Sequence, residues 1–255
     1  MNLTSARYQF PIQHPEYEYP ASKNPYWSKL LSLHGLVYSD NQTELNRGNW
    51  RKQFRDSNRF SERKLHVEIG CNSAHVLLEW AKAHPENAYI GIDWKFKAIF
   101  RAAEKAAELG LENIIFLRAH AERFPYMFGP KEVDHLCLYF PDPWPKKSHW
   151  KNRFVTVERL SAIVRLLTPG GIFHIKTDHP GYFEWILKAV DECGNQTQSP
   201  NQNLYQNYWK ILEVTRDLHR NNPAPETLDF PEVTLFEKIF IRQKIPIQSL
   251  KLIHS

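Results

Sequence analysis

Residues 65–93 read LHVEIGCNSAHVLLEWAKAHPENAYIGID, and this stretch decides the fold. Leu65 to Ile69 form a short apolar run that stops at Gly70. Val76, Leu77, Trp80 and Ala81 then recur at helical spacing until Pro85 ends the pattern, and residues 88–92 make a second apolar run ending at Asp93. Strand, helix and strand in so short a span describe a parallel βαβ unit. The alternation continues downstream. Phe96, Ile99, Phe100, Ala103 and Ala107 predict a helix closed by Gly110, and residues 113–117 and 133–140 predict strands. Phe154, Val157, Leu160, Val164 and Leu167 predict a helix stopped at 169–171. Residues 172–175 follow as a strand, and Phe183, Ile186, Leu187 and Val190 as a helix. Residues 208–214 and 233–241 are strand-like with only a loop between them. The expectation is an α/β, doubly wound, mostly parallel seven-stranded sheet of Rossmann-like type, with one antiparallel strand at the C-terminal end.

Upstream of residue 65 the character changes. Pro11, Pro15, Pro20 and Pro25 interrupt an aromatic stretch, so this part is expected to be irregular. The expected organisation is an N-terminal extension over 1–64 and a single catalytic-type domain over 65–255. A basic helix is expected from about residue 44, weakened by Gly48. On it Arg47, Arg51, Arg55 and Arg59 would form one stripe, suited either to a phosphate backbone or to a solvated, salt-bridged face. With 255 residues and 42% hydrophobic content, the chain can bury a full core. No apolar run reaches the roughly 18–20 residues of a membrane span. Three cysteines without a C-x-x-C suit a reducing cytoplasm. A net charge of +5 is consistent with a polyanionic partner but does not require one.

In a doubly wound sheet, ligands bind beyond the carboxyl ends of the strands. The residues there are Glu68-Ile69-Gly70-Cys71-Asn72, Asp93, His120, Pro141-Asp142-Pro143-Trp144 and Lys176-Thr177-Asp178. Asp93 suits a ribose diol or a helix cap. The turn Gly70-Cys71-Asn72-Ser73-Ala74 suits a nucleotide or a plain strand-to-helix turn. Phe140, Asp142 and Trp144 each precede a proline, which predicts a stiff, extended loop carrying one carboxylate and one large aromatic for a flat base. Lys146, Lys147, His149, Lys151 and Arg153 follow it as a cationic run, either phosphate-facing or merely solvated. The histidines have no metal-ligand spacing, so no metal is expected and buried or capping roles are favoured.

These pieces together resemble the bacterial tRNA (guanine-N7)-methyltransferase family over about residues 34–247. The likeness is carried by Val67-Glu68-Ile69-Gly70, Ile90-Gly91-Ile92-Asp93, Gly110-Leu111-Glu112-Asn113, Phe140-Pro141-Asp142-Pro143-Trp144-Pro145-Lys146-Lys147 and Lys176-Thr177-Asp178. Asp217-Leu218-His219 and Thr234-Leu235-Phe236-Glu237 complete it. The resemblance implies S-adenosylmethionine as methyl donor, held by Glu68, Gly70, Asp93, His120 and Asp142, with Asp142 also as the catalytic carboxylate. It implies tRNA as partner, contacted by Lys146, Asp178, Thr234, Phe236 and Glu237. Four positions depart from the family pattern. Asn72 and Ala74 stand where glycines are usual, His120 where an aspartate is usual, and Lys244 where a glycine often precedes the closing Pro-Ile.

The implied reaction is methyl transfer to guanine N7 in the variable loop of tRNA, in the cytoplasm, by a monomer or a homodimer. N7 carries a free lone pair on the major-groove edge, so orientation rather than proton removal should dominate. Two alternatives stay open: an amino-group nucleic-acid methyltransferase, and a non-catalytic RNA-binding protein whose cofactor binding has been weakened by Asn72, Ala74 and His120.

Overall fold

The computed structural model describes residues 10–20, 23–54, 63–195, 209–220 and 233–255. Among these, eight strands form one sheet in the order β1-β4-β3-β2-β5-β6-β8-β7. They are β1 (Val37–Ser39), β2 (Leu65–Ile69), β3 (Ala88–Asp93), β4 (Ile114–Arg118), β5 (Val133–Tyr139), β6 (Leu167–Thr177), β7 (Trp209–Thr215) and β8 (Gln248–His254). Only β8 runs against its neighbours, pairing antiparallel with both β6 and β7.

Strand alternation sorts the core into two layers. In β3, Ala88, Ile90 and Ile92 face one side, where Leu160 and Ile163 of α6 (Val157–Leu166) and Phe183 and Ile186 of α7 (Pro180–Asn195) complete the packing. Tyr89 faces the other side, against Leu77 and Trp80 of α3 (His75–Ala83) and Ile99 and Ala103 of α4 (Phe96–Glu108). Gly91 is needed at this second interface. A Cβ there would lie 2.9 Å from Cys71 Sγ and 3.1 Å from Leu77 Cδ1, so only glycine lets α3 approach the strand.

The structure corrects the strand reading in three places. β6 starts at Leu167, expected within the preceding helix, rather than at Ile172, and so runs through Pro169-Gly170-Gly171. The sheet has eight strands rather than seven, because Val37–Ser39 pairs parallel with β4 as an added edge. Residues 233–241 do not form a strand: α8 (Leu235–Arg242) occupies them, and the partner of β7 is Gln248–His254. Thr234 starts α8 with a full capping box, its side chain accepting from the Glu237 N–H while the Glu237 side chain accepts from the Thr234 N–H.

The expected basic helix is also absent over its described part. After the single turns α1 (Trp27–Leu31) and α2 (Gln42–Leu45), the chain passes through a 3-10 turn at Trp50–Gln53 to an extended Phe54. Arg47 donates to the Phe128 carbonyl. Arg51 donates to the carbonyls of Arg63 and Glu132 and to Asp134 Oδ2 at 2.6 Å, so both arginines are bonded to the protein itself. Arg55 and Arg59 lie outside the described residues.

Another short helix, α5 (Phe124–Met127), packs beneath the N-terminal segment. There Arg123 is buried, pairing with both oxygens of Glu44 and donating to the carbonyls of Ile12 and His14. His66, His135 and His174 lie in the sheet, where burial pushes their pKa values down to about 4, 3 and 2.

Candidate functional site

The strand order reverses between β2 and β5, because β2, β3 and β4 step one way while β5 and β6 step the other. The crevice beyond the carboxyl ends at such a reversal is where doubly wound sheets bind ligands. Two loops border it, and both are strained. In the turn after β2, Gly70, Asn72 and Ala74 have φ of 77°, 51° and 55°. In the loop after β5, Phe140 and Trp144 have φ of 52° and 45°. Four of the seven described non-glycine residues with positive φ therefore flank one crevice, and strain of this kind collects at ligand sites. Sequence reasoning predicted extended Phe140 and Trp144. Both instead turn left-handed, because the loop is held at other points. The Phe140 N–H donates to the Lys176 carbonyl at 2.8 Å, and Arg153 Nε donates to the Pro143 carbonyl at 2.9 Å.

On the β2–β3 side, Glu68 and Asp93 are both buried. Asp93 Oδ2 accepts from the Asn72 N–H and Oδ1 from the Lys95 N–H, so this carboxylate shapes the turn while keeping lone pairs free. Glu68 Oε2 is buried without a partner among the described residues. Burial pushes the Glu68 carboxyl up to about 7; the Lys176 ammonium opposes the rise and Asp93 adds to it. A buried acceptor without a donor fits a cationic ligand group. The space around Gly70 is open, since a Cβ there would meet nothing within 4 Å. His120, at the end of β4, stacks on Trp94 with ring centroids 5.4 Å apart and planes 15° off parallel. Burial lowers the His120 pKa, and Arg118 lowers it further.

On the β5–β6 side, Asp142 is exposed and makes no hydrogen bond or ion pair with the described residues. Asp178 sits half-buried in the bend between β6 and α7, likewise with its carboxylate uncommitted. The register Tyr139↔Lys176 sets these two loops side by side. Lys146 and Lys147 are exposed at the head of a 3-10 turn over Lys147–Asn152. Arg153, grouped with them in the sequence, is buried. Its guanidinium lies 4.7 Å from the Trp150 ring, 4.9 Å from Trp185 and 5.2 Å from Tyr182. It is part of the scaffold rather than of the cationic surface.

The α8 segment joins the same edge. Phe236 is 52% exposed, and its ring lies 6.2 Å from that of Phe140, which also packs 5.4 Å from Phe240. Thr234 is buried as the helix cap. Glu237 points inward, 0% exposed, with its carboxylate bonded to Lys176, His219 and the Thr234 N–H. Sequence reasoning placed Glu237 among groups facing RNA; its carboxylate instead lies inside the protein. Burial would raise its pKa, but the His219 hydrogen bond and the Lys176 charge hold it below the ordinary value.

The residues expected from sequence thus gather at one edge, Glu68, Gly70, Asp93 and His120 on one side and Asp142, Lys146, Asp178, Thr234 and Phe236 on the other. Not legible in the sequence were the stacking of Trp94, the burial of Arg153 and the anchoring role of Lys176 and His219. Trp94 could have been found as the residue following the strand-end acid. Among the described residues no helix is long and apolar enough to cross a membrane, and no three His, Cys, Asp or Glu side chains gather to hold a metal ion.

Known proteins resemble this chain in sequence and in fold. A family model described as a putative methyltransferase matches residues 62–221. The tRNA (guanine-N(7)-)-methyltransferase of Bdellovibrio bacteriovorus is 31% identical over 217 residues, covering 85% of this chain and 94% of its own. The protein of the same name from Geobacillus kaustophilus is 34% identical over 186 residues, covering 72% and 82%. That from Lachnoclostridium phytofermentans is 31% identical over 213 residues, covering 84% and 89%. Among solved structures, the 16S rRNA methyltransferase KamB superposes with a TM-score of 0.54 at 19% identity, over 79% of this chain and 94% of its own, a likeness of fold alone.

Proposed function

Because the chain belongs to the tRNA (guanine-N(7)-)-methyltransferase family, we propose that it methylates N7 of a guanine in the variable loop of tRNA, using S-adenosylmethionine. The observation that carries this reading is the crevice between β2 and β5, walled by two strained loops, with the buried carboxylates Glu68 and Asp93 on one side and the exposed Asp142 and half-buried Asp178 on the other.

On the buried side, the partnerless Glu68 oxygen suits the cationic part of S-adenosylmethionine, and the spare lone pairs of Asp93 suit its ribose hydroxyls. The Trp94–His120 pair offers an aromatic wall and one imidazole acceptor for its adenine. When bound, this donor would supply an electrophilic methyl on a sulfonium; the free lone pair of guanine N7 would form the N–C bond as the C–S bond breaks, releasing a neutral thioether and requiring no loss of a proton. No general base is therefore assigned. Asp142 and Asp178 accept hydrogen bonds from guanine N1–H and the 2-amino group. They hold the base in line and stabilise the positive charge that grows on its imidazole ring. Lys146 meets the phosphate backbone, and Phe236 offers a stacking face beside the base. The partner is tRNA, the place of action the cytoplasm, and both a monomer and a homodimer satisfy the reading.

The test is incubation with labelled S-adenosylmethionine and bulk tRNA, followed by chain scission specific for N7-methylguanosine. Scission in the variable loop is expected. Label on an exocyclic nitrogen would replace this reading with an amino-group methyltransferase. Absence of donor binding by calorimetry would replace it with an RNA-binding protein.

A further inference from the structure

Among the described residues no carboxylate is more enclosed than Glu237. Lys176 Nζ donates to it at 3.0 and 3.2 Å, His219 Nε2 meets its Oε1 at 2.7 Å, and the Thr234 N–H donates to its Oε2 at 3.2 Å. These donors come from three separate stretches: the end of β6, the turn after β7 and the start of α8. Each stretch carries one of the sequence signatures, Lys176-Thr177-Asp178, Asp217-Leu218-His219 and Thr234-Leu235-Phe236-Glu237. The reaction described above uses Asp178 and Phe236 but gives the Asp217-Leu218-His219 turn no task.

Within α8 only Glu237 is buried, while Leu235, Phe236 and Ile239 are exposed. The inward anchor of this helix is therefore an ion pair rather than an apolar side chain. A buried ion pair is a weak source of stability but fixes direction, because each oxygen must meet its donor. The His219 turn is itself fastened, with the Leu218 N–H donating to the Ile247 carbonyl just before β8. Lys176 stands two residues before Asp178 and opposite Tyr139 of the loop-bearing strand β5.

Resting on the tRNA reading, we propose that His219 and Lys176 are positioning residues for the RNA substrate. By gripping Glu237 they set the first turn of α8 against Phe140, and so place Thr234 and Phe236 relative to Asp142 and Asp178. Neither needs to touch RNA.

The full chain tests this with His219→Leu, which removes the donor, and His219→Gln, whose side-chain amide keeps an N–H near the same point. A hydrogen bond to a charged group accounts for about a tenfold change or more, so His219→Leu should raise the Kd and KM for tRNA about tenfold. It should leave donor affinity unchanged and speed hydrogen exchange of the amides in 235–242. His219→Gln should restore tRNA binding to within about threefold of wild type. A folded His219→Leu with unchanged tRNA Kd and KM overturns the proposal. So does equal damage by both variants with exchange raised throughout the sheet, which marks a merely structural residue. Wild-type protein that binds tRNA without methylating N7 sinks the proposed function and leaves the Leu–Gln contrast to decide this one. Wild-type protein that binds no tRNA sinks both.

Discussion

The backbone N–H of Asn72 donates to Asp93 Oδ2 at 3.0 Å, tying the turn after β2 to the carboxylate that ends β3. The bond holds Asn72 at φ 51°, a conformation asparagine tolerates better than most residues because its short polar side chain compensates locally. Asn72→Ala should cost about 1 kcal/mol in denaturant unfolding. Asn72→Gly should leave stability within about 0.5 kcal/mol and bind S-adenosylmethionine more tightly, because the exposed side chain no longer narrows the crevice. Equal stability of the Ala and Gly variants would show that the turn carries no strain.

Glu68 should oppose stability and support binding. Its pKa rises from 4.5 to about 7, chiefly through burial, so between those values the folded protein holds a proton that the unfolded chain releases. Stability therefore falls as pH rises through that window, and the penalty is complete above it, about 3 kcal/mol by linkage. Glu68→Gln should raise Tm at about pH 8, leave it nearly unchanged at about pH 4, and weaken donor binding. A lower Tm for Glu68→Gln at the alkaline end would reverse the assignment.

Donor binding should show two limbs, one from ionisation of Glu68, whose charged form meets the cationic donor, and an acidic one from His120. Its pKa is lowered from 6.5, first by burial and then by Arg118, with Glu122 opposing. The neutral ring can accept a hydrogen bond through one nitrogen and the protonated ring cannot. Loss of donor affinity from this group should therefore appear only below pH 6.5. His120→Asp should remove that acidic limb and leave the Glu68 limb. Calorimetric titrations across both windows, with each single variant, separate the two; an acidic limb that survives in His120→Asp would assign it elsewhere.

The basic residues after the proline loop should divide by salt dependence. Lys146→Glu should weaken tRNA binding and flatten its dependence on salt. Arg153→Met should leave the salt slope alone and cost about 2–3 kcal/mol of stability, because it empties an aromatic cage and frees the Pro143 carbonyl. Arg51→Glu should likewise act on stability, since it would set a carboxylate against Asp134. A changed salt slope in either arginine variant would place that side chain on the RNA instead.

What the sequence disclosed follows from how each feature is encoded. The run from β2 to α7 was legible because its apolar residues recur at strand or helix spacing and Gly70, Pro85, Gly110 and Pro141 punctuate it. β1 was hidden, as three residues carry no period. α8 was misread because Val233, Phe236, Ile239, Phe240 and Ile241 favour strands, although the Thr234-x-x-Glu237 box announces a helix start. The strand-end carboxylates were legible from position alone. The burial of Arg153 and Glu237 was not, because a charged side chain's direction depends on partners distant in the chain, such as Pro143 for one and Lys176 and His219 for the other.

Asp142 gives the sharpest separation of chemistry from structure. Its loop is fixed on both sides, by the Phe140 N–H on the Lys176 carbonyl and by Arg153 on the Pro143 carbonyl, and neither bond involves the Asp142 side chain. The carboxylate itself is exposed and partnerless among the described residues, so removing its charge breaks no contact. Asp142→Asn should therefore leave Tm and the fold unchanged. If the carboxylate accepts from guanine and stabilises the charge growing on the ring, the same change should lower kcat by roughly 10²–10³-fold, the range seen when one preorganised group at a developing charge is lost. The KM for tRNA should move far less, because one hydrogen bond is a small part of a backbone-dominated interface. A kcat within about threefold of wild type would remove Asp142 from the chemistry and leave Asp178 as the carboxylate to test next.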